Sequence, residues 1–170
     1  FSIRRSNIVR IIGHWPLYCR SLQPLYCRRY SRLDLRGFTI TGGQQGVICD
    51  ALICRRNKPC SKGPCEVFNG SLVGTSLSSH GIRGHRPVVH DVTITDFRLG
   101  VGVFTKLQLS NATVQNSESM GVLGKDLNIS NTSITNSGQF GVFGWTDRGP
   151  AIRLTDSTVT ASTRSAAPSR

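Results

Sequence analysis

The chain has 170 residues, 38% of them hydrophobic and only 7% aromatic, and a net charge of +12. This is the length of one domain, and no run of eighteen apolar residues occurs that could cross a membrane as a helix. The basicity is uneven: residues 1–65 carry twelve Lys/Arg against Asp34 and Asp50, a net +10, while 66–170 carry nine against seven.

Residues 1–32 form an Arg-rich lead with no strand or helix period. It holds a short repeat of its own, Pro16-Leu-Tyr-Cys-Arg20 and Pro24-Leu-Tyr-Cys-Arg28. Three readings stay open: a cap over the first coil of a repeat protein, a basic arm for anionic partners, or an irregular lead-in. Within it, Ser6-Asn-Ile-Val-Arg-Ile-Ile12 is the best candidate for a capping strand.

A repeat of about twenty residues begins at 33. It is clearest in Leu107-Gln-Leu109-Ser-Asn111-Ala-Thr-Val114-Gln-Asn116 and Leu127-Asn-Ile129-Ser-Asn131-Thr-Ser-Ile134-Thr-Asn136. Taking the apolar residue after Asn/Asp as an anchor, copies fall at Ile40, Leu72, Ile94, Val114, Ile134 and Val159, with spacings of 32, 22, 20, 20 and 25. Apolar and polar residues alternate inside each copy, the period of a strand with one buried face. Gly-Val or Gly-Ile pairs follow the anchors at Gly46, Gly81, Gly102, Gly121 and Gly141.

Two Asn/Asp columns accompany the anchors: Asn69, Asp91, Asn111, Asn131 and Asp156, then Asp96, Asn116 and Asn136. Both read as turn residues, because Asn and Asp tolerate left-handed backbone, and as side-chain ladders, because an amide both donates and accepts. Thr-x-Thr pairs such as Thr93/Thr95 and Thr158/Thr160 flank the anchors. They read as β-propensity on a wet face, interrupted at Ser71/Val73 and Thr113/Gln115.

The architecture expected is all-β: a right-handed, single-stranded parallel β-helix (a solenoid) of about six coils over 33–161, followed by a disordered tail at 162–170. Leu127 to Val142 and its copies resemble the pectin-lyase-like superfamily. Enzymes of that family cut or rearrange acidic polysaccharides. Pectate lyases use a carboxylate cluster for calcium with an Arg base, and polygalacturonases use three close Asp residues with Gly-His-Gly and Arg-Ile-Lys segments. Those motifs are absent here. His80-Gly-Ile-Arg83-Gly-His85 is a loose echo, which leaves Arg83, His85 and Asp91 as candidate catalytic residues.

Two insertions break the period. The spacing of 32 contains Cys49, Cys54, Cys60 and Cys65, which read as disulfides in an oxidising compartment, as thiols packed in the coil, or as metal ligands lacking a tight Cys-x2-Cys knuckle. Cys19 and Cys27 lie in the lead. The spacing of 25 places Trp145, Asp147 and Arg148 on a bulge, a candidate sugar-stacking patch.

The function expected is a non-catalytic carbohydrate-binding or surface-structural module of a larger secreted protein, extracellular or at the cell surface, with polysaccharide as partner. No cofactor, resident metal, membrane span or nucleic-acid partner is expected. The alternative is a fragment of a polysaccharide lyase or glycoside hydrolase acting on acidic polysaccharide.

Overall fold

The computed structural model describes residues 2–5, 11–12, 25–27, 32–35, 38–41, 45–49, 65–75, 78–146 and 151–161. Among them are eighteen strands and no helix. Twelve strands form one sheet: β1 (Ser2–Arg5), β2 (Ile11–Ile12), β4 (Arg32–Asp34), β5 (Phe38–Thr41), β7 (Cys65–Val73), β9 (Pro87–Thr95), β11 (Leu107–Ser110), β12 (Thr113–Gln115), β14 (Leu127–Ser130), β15 (Ser133–Ser137), β17 (Ile152–Thr155) and β18 (Thr158–Ala161). Six form the second: β3 (Leu25–Cys27), β6 (Gln45–Cys49), β8 (His80–Gly84), β10 (Leu99–Val103), β13 (Met120–Lys125) and β16 (Phe140–Trp145).

The chain alternates between the sheets, and like strands stack in parallel. The result is a β-solenoid of about four turns, fewer than the six coils expected. The turns traced through both sheets are β7–β8, β9–β10, β11 to β13 and β14 to β16. The first copy is interrupted by undescribed residues, and the last contributes β17 and β18 with no second-sheet strand described.

The anchors fall into one column: Ile40, Leu72, Ile94, Val114, Ile134 and Val159 are successive register partners. Parallel pairing in register follows from the repeat itself, since a one-residue slip would turn every aliphatic outward. A second column runs Val67, Val89, Leu109, Ile129, and a third, in the second sheet, runs Val47, Ile82, Val101, Val122. All of these side chains except Val159, which is partly buried and packs against the others, are buried and form one core along the axis.

The second-sheet register corrects one alignment. Val101, not Val103, pairs with Ile82 and Val122, so the glycine of that coil is Gly100 rather than Gly102. A Cβ on Gly100 would stand 2.6 Å from the Gly121 carbonyl oxygen and 2.4 Å from Val114 Cγ1. The coils approach there more closely than any side chain allows, which neither periodicity nor residue type reveals.

Both Asn/Asp columns hold left-handed backbone. Asn69, Asp91, Asn111, Asn131 and Asp156 have φ of 44–59°, and Asp96, Asn116 and Asn136 have 54–62°. The short polar side chain makes this conformation accessible to a non-glycine residue. In the second column Asn136 Nδ2 donates to Asn116 Oδ1 (3.2 Å), and Asn116 Nδ2 donates to Asp96 Oδ1 (3.1 Å). The hydroxyl rank before the anchor is unbroken, Thr39, Ser71, Thr93, Thr113, Ser133 and Thr158 being successive partners, while the rank after it is interrupted at Val73 and Gln115 as expected.

In the lead, β1 pairs antiparallel with β5, β2 antiparallel with β4, and β3 parallel with β6. The expected capping segment 6–12 lies outside the described residues except for β2, as does the tail from 162. No described helix is long and apolar enough to cross a membrane.

Candidate functional site

On the first sheet one histidine is held between two carboxylates. His90 Nδ1 lies 2.7 Å from Asp91 Oδ2, and its Nε2 lies 3.0 Å from Glu66 Oε1 on the preceding coil. The ring also stacks on Phe68, with centroids 4.9 Å apart. Burial pulls the His90 pKa down, but hydrogen bonds to Asp91 and Glu66 outweigh it and hold the imidazole above its ordinary value. The same bond to His90 is the main reason the Asp91 carboxyl titrates below its ordinary value. With both nitrogens engaged, His90 is a clamp between coils and presents no free basic nitrogen to a substrate.

The second sheet is different in kind. None of its six strands carries an Asp or Glu, whereas His80, Arg83 and Lys125 all lie on it. Two further columns follow the register, with Leu99 buried. One column runs Gln45, His80, Leu99, Met120, Phe140, and another runs Ile48, Arg83, Gly102, Leu123, Phe143. Lys125 pairs with Trp145.

Five large hydrophobic residues are exposed among those described, and four of them are aromatics on or beside this sheet: Phe104, Phe140, Phe143 and Trp145. The Phe140 and Phe143 rings lie 5.6 Å apart. Phe104 directly follows β10. It carries the Arg83 guanidinium 5.2 Å above its ring and the His85 ring 5.1 Å away. Arg83 and Arg98 depress the titration of His80, after the larger effect of its partial burial.

The candidates read from sequence therefore separate. Arg83 and His85 come together, but over Phe104 and beside the second sheet. Asp91 belongs to the first sheet with His90, and Asp96 ends the amide ladder. They share no hydrogen bond that would make a catalytic group. Trp145 is exposed at the end of β16, while Asp147 and Arg148 lie outside the described residues.

Cys65 is buried and disulfide-bonded. Cys27 and Cys49 are register partners; Cys19, Cys54 and Cys60 lie outside the described residues. No group of three or more His, Cys, Asp or Glu is placed to hold a metal among the described residues.

Sequence reading missed Glu66, Gln45 and Phe104, and the partnership of His90 with Glu66. Glu66 and His90 are 24 positions apart and meet only because β7 and β9 pair in register. Phe104 had a faint signal, an aromatic directly after the Gly-Val pair at 102–103. No protein-family model, curated protein or solved structure matches the chain.

Proposed function

We propose that this protein is a non-catalytic carbohydrate-binding β-solenoid of pectin-lyase-like architecture, and that the outer face of its second sheet is the binding face. The observation that carries this reading is the segregation of exposed aromatics: Phe104, Phe140, Phe143 and Trp145 on or beside one sheet, with no carboxylate on its strands. Aromatic rings exposed on a flat parallel sheet offer an apolar body with low entropy of ordering, suited to the apolar face of a pyranose. Successive strands lie about 4.8 Å apart, so a chain laid along the axis meets a fresh rung at about that interval.

The scaffold supports recognition better than turnover. Glycoside hydrolysis needs two carboxyl groups across one bond, and Glu66, Asp91 and Asp96 are engaged in the His90 clamp and the amide ladder. The disulfide at Cys65 supports an extracellular or cell-surface setting.

Isothermal titration of the intact chain against oligosaccharides selected on a glycan array tests the reading. Trp145→Ala and Phe143→Ala are each expected to weaken binding about tenfold, the order of one lost stacking contact with its buried area. Unchanged affinity in both variants removes the aromatic face as the binding surface. Product release from any polysaccharide, lost on Arg83→Ala, would replace the reading with an enzymatic one.

A further inference from the structure

At the opposite end of this face, two arginines and a partly buried histidine lie around the backbone of Gly102. Arg83 and Gly102 are register partners, as are His80 and Leu99, and Arg98 directly precedes Leu99. Gly102 contributes no side chain. A Cβ there would lie 2.8 Å from Leu99 Cδ2 and 3.1 Å from His80 Cδ2, so the Leu99 side chain and the imidazole edge together cover that backbone. Neither Arg83 nor Arg98 is in an ion pair among the described residues. The Arg83 guanidinium carbon lies 5.2 Å from the Phe104 ring centroid, a contact that leaves its charge without an anion.

A second, independent observation lies on the neighbouring rung. Gln45 is the register partner of His80 on β6, and its amide oxygen is buried without a hydrogen-bond partner. An acceptor left in that state costs about 1–3 kcal/mol and seeks a donor. Cations without an anion beside an acceptor without a donor describe a ligand that carries both a negative group and a hydroxyl.

We infer that the surface over Gly102, bounded by His80, Arg83 and Arg98, binds the sulfate or phosphate group of a substituted sugar, with Gln45 accepting one of its hydroxyls. The sugar half of this assignment rests on the carbohydrate reading above; the anion half does not. Paired Arg side chains suit a tetrahedral oxyanion because each guanidinium presents parallel N–H groups. A bound anion also favours protonated His80. The charged groups facing that ring are Arg83 on its own strand and Arg98 from the adjoining turn; Gln45, Leu99 and Ser79 beside it are neutral.

The test is titration of the intact chain, at constant ionic strength set with chloride, with inorganic sulfate, inorganic phosphate, glucose 6-sulfate, glucose 6-phosphate and glucose. The His80 imidazole is followed by NMR. Both inorganic anions are expected to bind saturably and raise the His80 titration, and both substituted sugars to bind at least tenfold more tightly than glucose. Arg83→Ala and Arg98→Gln are expected to weaken anion binding tenfold or more. Gln45→Leu is expected to weaken the substituted sugars and spare the inorganic anions. The tighter of the two sugars names the source of the group.

Arg98 is exposed, so its variant keeps the test open should Arg83→Ala fail to fold. Anion binding no stronger than chloride, or unchanged within twofold in Arg98→Gln and Arg83→Ala, overturns the site. Trp145→Ala separates the two readings. If it abolishes neutral-saccharide binding while inorganic anions still bind, both stand. If neutral saccharide binds through Trp145 but the anions do not bind, this site alone falls. If the anions bind and Trp145→Ala changes nothing, the aromatic platform falls and the anion site remains.

Discussion

The two sheets are built from the same repeat but end in opposite surface chemistry. On the first, polar groups partner one another: Asn136, Asn116 and Asp96 form a ladder, and His90 clamps Glu66 to Asp91. On the second, Arg83 and Arg98 lack counter-ions among the described residues, Gln45 keeps an unpaired oxygen, and Phe140, Phe143 and Trp145 face outward. Groups that saturate one another hold a scaffold together. Exposed cations and aromatics left without partners are available to a ligand, and that separation locates the candidate site more firmly than any single motif.

The comparison breaks most readily at the core. Ile134 is fully buried in the anchor column, so Ile134→Ala should cost about 2–5 kcal/mol by urea denaturation. Phe143→Ala, on the outer face of the second sheet, should stay within about 1 kcal/mol, as surface positions do. Equal losses would mean that the aromatics are structural and the second sheet is no freer than the first.

A smaller effect sharpens the ladder. Asn116→Ala loses both amide bonds and places a Cβ residue in left-handed backbone (φ 55°); a loss of about 1–3 kcal/mol is expected. Asn116→Gly loses the bonds and keeps the conformation, so the difference between the two variants in thermal melts measures the backbone share. If glycine is as damaging as alanine, the amide ladder rather than the turn is what Asn supplies.

The smallest effect is the pH response of the His90 clamp. The folded His90 pKa lies above its ordinary value, so its contribution is fully present below about 6.5 and is lost as pH rises through the folded value. Asp91 is shifted down; its share is present above its ordinary range and lost as pH falls through the folded value. Stability should therefore decline on both sides of a window reaching from mildly acidic to just above 6.5. The clamp is partly exposed, so about 0.2–1 kcal/mol is at stake. His90→Gln should flatten the alkaline side of the window in melts taken across pH; an identical profile would show that the clamp contributes nothing.

Much of this was legible because a repeat states the same fact several times. The anchors from Ile40 to Val159 and the left-handed Asn/Asp columns were readable since each copy supplies an independent instance of the same local constraint. The alignment failed at Gly102, where Gly100-Val-Gly102-Val103 offers two glycines in one pattern. Only contact with Gly81 and Gly121 on the neighbouring rungs selects Gly100. Trp145 was readable as an irregularity, because the period breaks beside it, but its alliance with Phe143 and Phe140 depends on which face of β16 looks outward.

The sequence by itself determined the strand period, the turn residues and the columns of the core, because these follow from spacing and from the intrinsic backbone preferences of Asn, Asp and aliphatic side chains. The coil count, the glycine contact line and the partnership of Glu66 with His90 were decided only by the tertiary structure. So was the division between a sheet that carries the amide ladder and the His90 clamp and one that bears unpaired cations and aromatics. Such pairings join residues about twenty or more positions apart through register between coils, and register is a property of the stacked solenoid rather than of any one copy.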